Sequence, residues 1–340
     1  MDLTLAKRKE ISIGIKGGMF KNQLNFGANV FRNNITGIIG QINVLYPNYF
    51  TTGFPSSSFV PYSNYNSDQR TGLDFYLNFN KHIGAVDWTL GVSGTYYTTK
   101  ATKRADMLTY ENSYQYRAGK PLDAIWGLKS NGFYMDASEV AAADGVSNAK
   151  PAFGSALAPG DIKYIDQNGD KIIDDKDQVY LGRGGWFGAP FTAGLNLTAK
   201  WKNLTLFVLG TGRFGGSAMK TDNYFWVNGS DKYSAVVRDR WTPQTKNTAT
   251  FPRLTTLNGD NNFRASDFWL YSTDRFDLSK VQISYTVSDK LFKSKVLKEL
   301  GLYVAGFNLL TIAKEREILE LNLGGTPQTR LYNLGVKAMF

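Results

Sequence analysis

The chain has 340 residues, a formal net charge of +10, no cysteine and one histidine, His82. That inventory excludes a disulfide framework, a cysteine-based zinc site and a thiol nucleophile. His82 has no G-x-S-x-G partner motif to act with. Hydrophobic residues make up only 42% of the chain and mean hydropathy is −0.30, yet aromatic residues reach 14% and there are 34 glycines. No stretch approaches the ~18 apolar residues of a spanning helix, so any membrane passage must be made by strands. The basic residues are dispersed, with the densest run at 290–298. A nucleic-acid surface would cluster them on one element, so that class is set aside.

In chain order, apolar and polar residues alternate with period two. Ile11, Ile13, Ile15 and Met19 alternate with Ser12, Gly14, Lys16 and Gly18. After Lys21-Asn22, Leu24, Phe26, Ala28 and Val30 continue the pattern, and Thr71 to Asn80 repeats it. Beyond an expected turn around His82, Val86, Trp88, Leu90, Val92 and Tyr96 share one face. Phe191 to Trp201, the Lys202-Asn203 turn and Leu204 to Gly212 form a hairpin pattern. Phe276–Val287, Leu300–Ile312 and Gln328–Phe340 follow, the last carrying Tyr332, Leu334, Val336, Ala338 and the terminal Phe340 on one face. These are nine segments of membrane-spanning length for strands. One face would meet lipid and the other a wet lumen.

The connections sort by length. Those at 20–23, 81–85 and 201–204 are tight and 288–299 is moderate, whereas 36–69, 100–189, 213–262 and 313–327 are long. Outer-membrane barrels pair short periplasmic turns with long extracellular loops. The alternation therefore predicts an all-β, antiparallel transmembrane barrel portion of about nine to ten strands, with Phe340 at the periplasmic side. Nine is odd, whereas single-chain bacterial barrels are even-numbered, and lipid-exposed sheet edges are costly. The first ten residues also lack the apolar h-region of a signal peptide. The expectation is a C-terminal barrel portion, residues 1–340, with plug domain and signal peptide absent, and with the outer edge of the last strand unpaired.

The long 100–189 region carries an Asp-rich turn, Asp166-Gln167-Asn168-Gly169-Asp170-Lys171-Ile172-Ile173-Asp174-Asp175-Lys176-Asp177. Asp166, Asn168, Asp170, Asp174 and Asp177 fall at positions 1, 3, 5, 9 and 12, with the Ile172 carbonyl at 7, the spacing of an EF-hand-like calcium loop. Lys171 stands where such loops need glycine at position 6, and Asp177 replaces the usual longer glutamate. A bound Ca2+ and a ligand-free Asx-rich turn both fit these residues. No other cofactor is expected.

Several segments then occur in a telling order: "YRAGKPLDAIWGLKSNGFY", "PGDIKYIDQNGDKIIDDKDQVYLGRG", "PFTAGLNLTAKWKNLTLFVLGTGRFGG", "RDRWTPQTKNTATFPRL", "NNFRASDFWLYSTDRFDLSKVQISYTVSDKL", "LYVAGFNLLTI" and a terminal aromatic. In that order they resemble the C-terminal part of the SusC/RagA-type TonB-dependent outer-membrane transporters of Bacteroidota. The segment "GRGGWFGAPFTAG" is bulkier than that family's usual link. The resemblance implies an outer-membrane protein that is not an enzyme: a 22-stranded, plugged barrel importing oligosaccharides or peptides. It would be powered by TonB through the N-terminal part and capped by a SusD-like surface lipoprotein. This chain would then supply barrel wall and extracellular loops. Arg238–Trp241 and Asn262–Trp269 look like landmarks that shape the rim.

Aromatics in the expected extracellular loops, namely Tyr46, Tyr49, Trp186, Tyr224 and Trp226, are candidate ligand contacts, since flat rings stack on sugars. Loop packing or an interface girdle would use the same residues. Two other classes fit parts of the pattern. A small adhesin or structural barrel would need a closed, even-numbered sheet. A secreted carbohydrate-binding or hydrolytic β-sandwich would need an apolar inner core and, for hydrolysis, carboxylates paired in a cleft.

Overall fold

Nine long strands form one antiparallel sheet in strict sequence order: β1 (Lys7–Met19), β2 (Leu24–Gln41), β3 (Tyr62–Ile83), β4 (Val86–Lys103), β5 (Phe191–Trp201), β6 (Leu204–Phe214), β7 (Arg275–Thr286), β8 (Glu299–Ala313) and β9 (Leu331–Met339). The computed structural model describes residues 3–50, 59–185, 189–227, 229, 232–256, 261–287, 297, 299–322 and 325–340. The basic run at 290–298 falls almost wholly outside them. All nine segments read from alternation are strands of this sheet. His82 lies within β3, opposite Asp87, and not in a turn; its Nδ1 is 2.7 Å from Asp87 Oδ1.

The register fixes which face each residue takes, because directly opposed residues of antiparallel neighbours share a face. One row runs Ile13, Val30, Leu73, Tyr96, Phe191, Phe214, and the next Ile15, Ala28, Phe75, Gly94, Ala193, Gly212. Large apolar side chains on this face are open rather than buried: Ile13 is 73% exposed, Val30 56% and Val304 55%. Many of the sheet's buried residues are small or polar, such as Asn33, Thr99, Asp277 and Thr311. A soluble sandwich would show the reverse, so the β-sandwich reading falls here. On β5 the apolar face runs from Phe191 to Trp201. At about 3.3 Å per residue and a tilt near 45°, that is roughly 24 Å of height, the thickness of a barrel's lipid-facing band.

The opposite face is polar. One of its rows is Asn29, Asp74, Thr95, Thr192, Arg213, Arg275. Gly72 shows how this face packs: it lies opposite Phe31, and a Cβ at Gly72 would sit 2.4 Å from the Phe31 ring. In β7 the apolar phase slips from Phe276 and Leu278 to Val281, Ile283 and Tyr285. A bulge at Ser279, with matching register shifts against β6 and β8, absorbs the slip and keeps both sets on one face.

The links at 42–61, 104–190, 215–274 and 314–330 leave one end of the sheet, and those at 20–23, 84–85, 202–203 and 287–298 leave the other. β1 and β9 are the sheet edges, and among the described residues β9 pairs with β8 alone. Among them, too, no helix is long and apolar enough to cross a membrane. The hydrophobic core lies outside the sheet, in a cap built by the long links. Its buried centre includes Phe133, Ile162, Tyr164, Phe251, Phe263 and Trp269. Short paired strands frame it: Ala124–Gly127 with Val179–Arg183, Ser130–Phe133 with Ile162–Tyr164, Lys150–Pro151 with Ile172–Ile173, and Ser217–Met219 with Leu270–Ser272.

Candidate functional site

The cap sits over the long-link end of the sheet, and buried carboxylates tie it together. Asp161 is fully buried. It accepts from Arg253 Nε at 2.7 Å and Nη2 at 3.2 Å, from Asn262 Nδ2 at 2.9 Å and from the Ala158 amide at 2.9 Å. Asn262 passes the link on: its Oδ1 accepts from the Ile162 amide, and its carbonyl accepts from Trp269 Nε1 at 2.8 Å. Asp123, also fully buried, accepts from Arg183 Nε at 3.1 Å and the Gly185 amide at 2.9 Å, while Arg183 Nη1 donates to the Tyr97 carbonyl on β4. Asp267 accepts from both the amide and the hydroxyl of Ser130. Asp161 and Asp267 thus join segments more than 90 residues apart, and Asp123 joins segments about 60 apart. Buried charges of this kind hold only when fully paired.

These hubs are what sequence reading missed. Asp161 and Asp123 stand as single carboxylates among apolar and turn residues with no spacing pattern, and only the long-range fold supplies their arginines. The segments 238–241 and 262–269 contribute Trp241, Phe263 and Trp269 to the buried core of the cap. Trp241 packs against Gly160, where a Cβ would lie 2.5 Å from the indole, and Trp269 stacks edge-on with Phe251 and Phe268.

The Asp-rich turn is braced by its own backbone. Asp166 accepts from the Gly169 and Lys171 amides, Asp170 from Ile172, and Asp174 from Lys176. Asp177 bridges the ends, accepting from Gln167 at 2.7 Å and Asp174 at 2.8 Å. Lys171 takes the left-handed conformation at φ 65°, as the missing position-6 glycine would. Its Nζ donates to the Val146 and Ser147 carbonyls, contacts that offset the strain. Burial pushes the Asp177 carboxyl above its ordinary pKa. Tyr114 donates to the Lys176 carbonyl, and its hydroxyl is pushed up to about 12, first by burial and then by the charges of Asp177, Asp166, Asp170 and Asp174. Among the described residues no three acidic or imidazole side chains are placed to hold a metal ion.

The five candidate aromatics divide. Tyr46 and Tyr49 both pack on Phe50, with ring centroids 5.9 and 5.1 Å away, and Tyr49 is 69% exposed. Tyr224 lines a cavity of about 810 Å³ beside Lys220, Asp239 and the short helix Arg316–Leu321. Trp226 turns into the cap core against Phe263 and Trp269. Trp186 lies outside the described residues. His82, the chain's one imidazole, is exposed at the other end of the sheet.

No protein-family model matches this chain. A curated relative, the TonB-dependent receptor P26 of Formosa agariphila, is 29% identical over 158 residues, 44% of this chain and 15% of the relative. The RagAB peptide importer in its open-open state matches 100% of this chain and 35% of its own, with a TM-score of 0.72 and 19% identity. The closed-closed state matches 97% of this chain, with a TM-score of 0.68 and 18% identity. The chain thus spans about a third of those importer chains and a smaller share of the receptor. The relatives are receptors and importers, not enzymes.

Proposed function

We propose that this chain, in fold an outer-membrane barrel of the TonB-dependent receptor type, forms the wall and outer loops of an importer for oligosaccharide or peptide nutrients. In this reading a SusD-like surface lipoprotein closes over the cap, and TonB supplies the energy from the periplasm. The observation that carries it is the inversion of the sheet: apolar residues open on one face, a polar row on the other, and a cored cap at the mouth. Such a wall separates lipid from a wet path that solutes can follow. The likeness to a TonB-dependent receptor and to RagAB supports an energised path over a passive pore. An adhesin or structural barrel complete in itself has less support, since β1 and β9 do not pair among the described residues. The Asp-rich turn acts in this proposal as a self-braced staple of the cap.

The test is uptake in the native host. Deleting the gene should abolish accumulation of a labelled tryptic digest or a labelled oligosaccharide mixture, and a protonophore or loss of TonB should do the same in the parent. Undiminished uptake of both mixtures in the deletion strain would sink the proposal.

A further inference from the structure

We propose that the outer wall, just above the apolar band, carries a cationic strip that holds the phosphate headgroup of an outer-leaflet lipid. The proposal goes beyond the importer function and rests only on the barrel fold and its place in the outer membrane. Toward the long-link end, above the apolar row of Ile13, Val30, Leu73 and Tyr96, the same face changes character. The next row is Ile11, Arg32, Thr71 and Thr98. Above it come Lys9, Asn34, Gln69 and Lys100, and then Lys7, Thr36, Ser67 and Lys103. Opposed residues share a face, so all five cations stand on the outside of the wall, and all five are exposed.

The strip has one sign. No aspartate or glutamate occupies any position of these three rows, and none of the five cations has a carboxylate partner among the described residues. On the opposite face of the same strands the charges pair, Arg8 with Glu10 and Arg104 with Asp68 at 2.7 Å. Neutral groups hold two of the outer cations in place. The Gln69 amide, its oxygen turned to Arg32, accepts from Nη2 at 2.6 Å and from Nε at 3.0 Å. Lys103 Nζ lies 4.3 Å from the centroid of the Tyr65 ring. Both side chains are positioned yet keep a full charge to offer a phosphate. Lys9 is the diagonal neighbour of Arg32 across β1 and β2, about 8 Å away at the backbone, so one phosphate can meet both.

The height of the strip fits a headgroup. With about 3.4 Å of rise per residue and a tilt near 45°, the Arg32 row lies about 5 Å above the apolar row, and the Lys9 and Lys100 row about 10 Å. The polar layer outside the hydrocarbon is roughly 5–7 Å thick on each side of a bilayer. Arg32 thus sits at headgroup depth, and the lysines reach down to it along their apolar stems. Tyr96, half exposed on the apolar row, marks the interface as a girdle aromatic does. A further strand beside β1 would join edge to edge and leave this face outward, and a plug would lie against the other face. A second copy of the chain would bring the same cations and be repelled. An anionic lipid answers both the sign of the strip and the apolar row beneath it.

The probes are bisphosphorylated lipid A, the same lipid stripped of its phosphates, and inorganic phosphate. Binding is measured by microscale thermophoresis on the full-length transporter purified in detergent. The phosphorylated lipid should bind at least about tenfold tighter than the stripped form. That gap should close in 1 M salt, where the Debye length falls to about 3 Å. Millimolar inorganic phosphate should not displace the lipid, because it has no acyl chains to lie on the apolar row. Each cation near a membrane surface contributes roughly fivefold in affinity, so Lys100→Gln alone should cost about that factor. Combining Lys9→Gln, Arg32→Gln and Lys100→Gln should erase the gap. Combining Lys21→Gln, Lys81→Gln and Lys202→Gln, the same charge loss at the short-link end, should leave it intact. The strip is refuted if the stripped lipid binds as tightly, if the gap survives salt or the first triple variant, or if the second triple variant closes it equally. Displacement by inorganic phosphate would assign the strip to a free anion and overturn the lipid. An altered oligomeric state in the first triple variant, with lipid preference unmoved, would make the strip a protein contact and overturn it too. Any of these failures leaves the importer reading standing, because uptake in the deletion strain tests that reading separately.

Discussion

Asp161 shows how much a single side chain holds in this molecule. Its two oxygens meet a guanidinium, a side-chain amide and a backbone amide, and it has no water to fall back on. Removing the carboxylate strands Arg253 in a mostly buried site, and breaking a buried pair from one side costs about 3–5 kcal/mol. Asp161→Ala should therefore loosen the cap while the sheet persists. Limited proteolysis should cut within 104–190 and 215–274 at protease levels that spare the parent, with strand content by circular dichroism unchanged. Loss of the strand signal together with the cap would contradict the separation of cap from sheet. At the same scale, Lys171 carries the backbone twist that glycine normally carries, and its ammonium anchors to two carbonyls of a neighbouring turn. The residue type that departs from the calcium-loop pattern is thus used to hold the turn.

Among the elements, the strands carry the two-faced chemistry. Leu195 and Thr198 lie on β5 in odd and even registers, Leu195 opposite Val92 and Thr198 opposite Thr89. Leu195 lies near the middle of the apolar band, where arginine costs about 2–4 kcal/mol. Leu195→Arg should sharply reduce heat-resistant folded barrel in outer-membrane fractions, whereas Thr198→Arg, on the lumen face, should leave it near the parent level. Equal loss in both variants would contradict the assignment of faces. The Asp-rich turn makes its own forecast. Because Asp166, Asp170, Asp174 and Asp177 already accept backbone amides, stripping calcium with EGTA should leave the melting midpoint unmoved, and terbium should give no saturable luminescence. A calcium-dependent rise in the midpoint that Asp166→Asn removes would instead assign an ion to the turn.

The molecule as a whole has two stabilising principles in one chain. The cap is ordinary water-soluble packing, with aromatic rings stacked around Trp269 and charges neutralised at Asp161 and Asp123. The sheet is stabilised by its ladders and by the lipid its open face meets. Sequence alone determined the nine strands, their up-and-down order, the sorting of long and short links, and the class of fold. A period-two pattern against lipid is a local property that needs no partner in the chain. It also found the Asp-rich turn, whose carboxylates bond backbone amides within a dozen residues. The outer reach of the strands stayed hidden, because beyond the lipid both faces are wet and hydropathy contrast vanishes. Tyr62–Arg70 of β3 are strand without any apolar alternation to mark them. Only the tertiary structure decided that Trp226 belongs to a core while Tyr49 stays open. It alone joined Asp161 to an arginine 92 residues away and laid Asp74 and Arg213 on one row of the lumen wall. Those pairings depend on register summed over several strands and on loop closure over many residues, and neither leaves a trace in any short window of the chain.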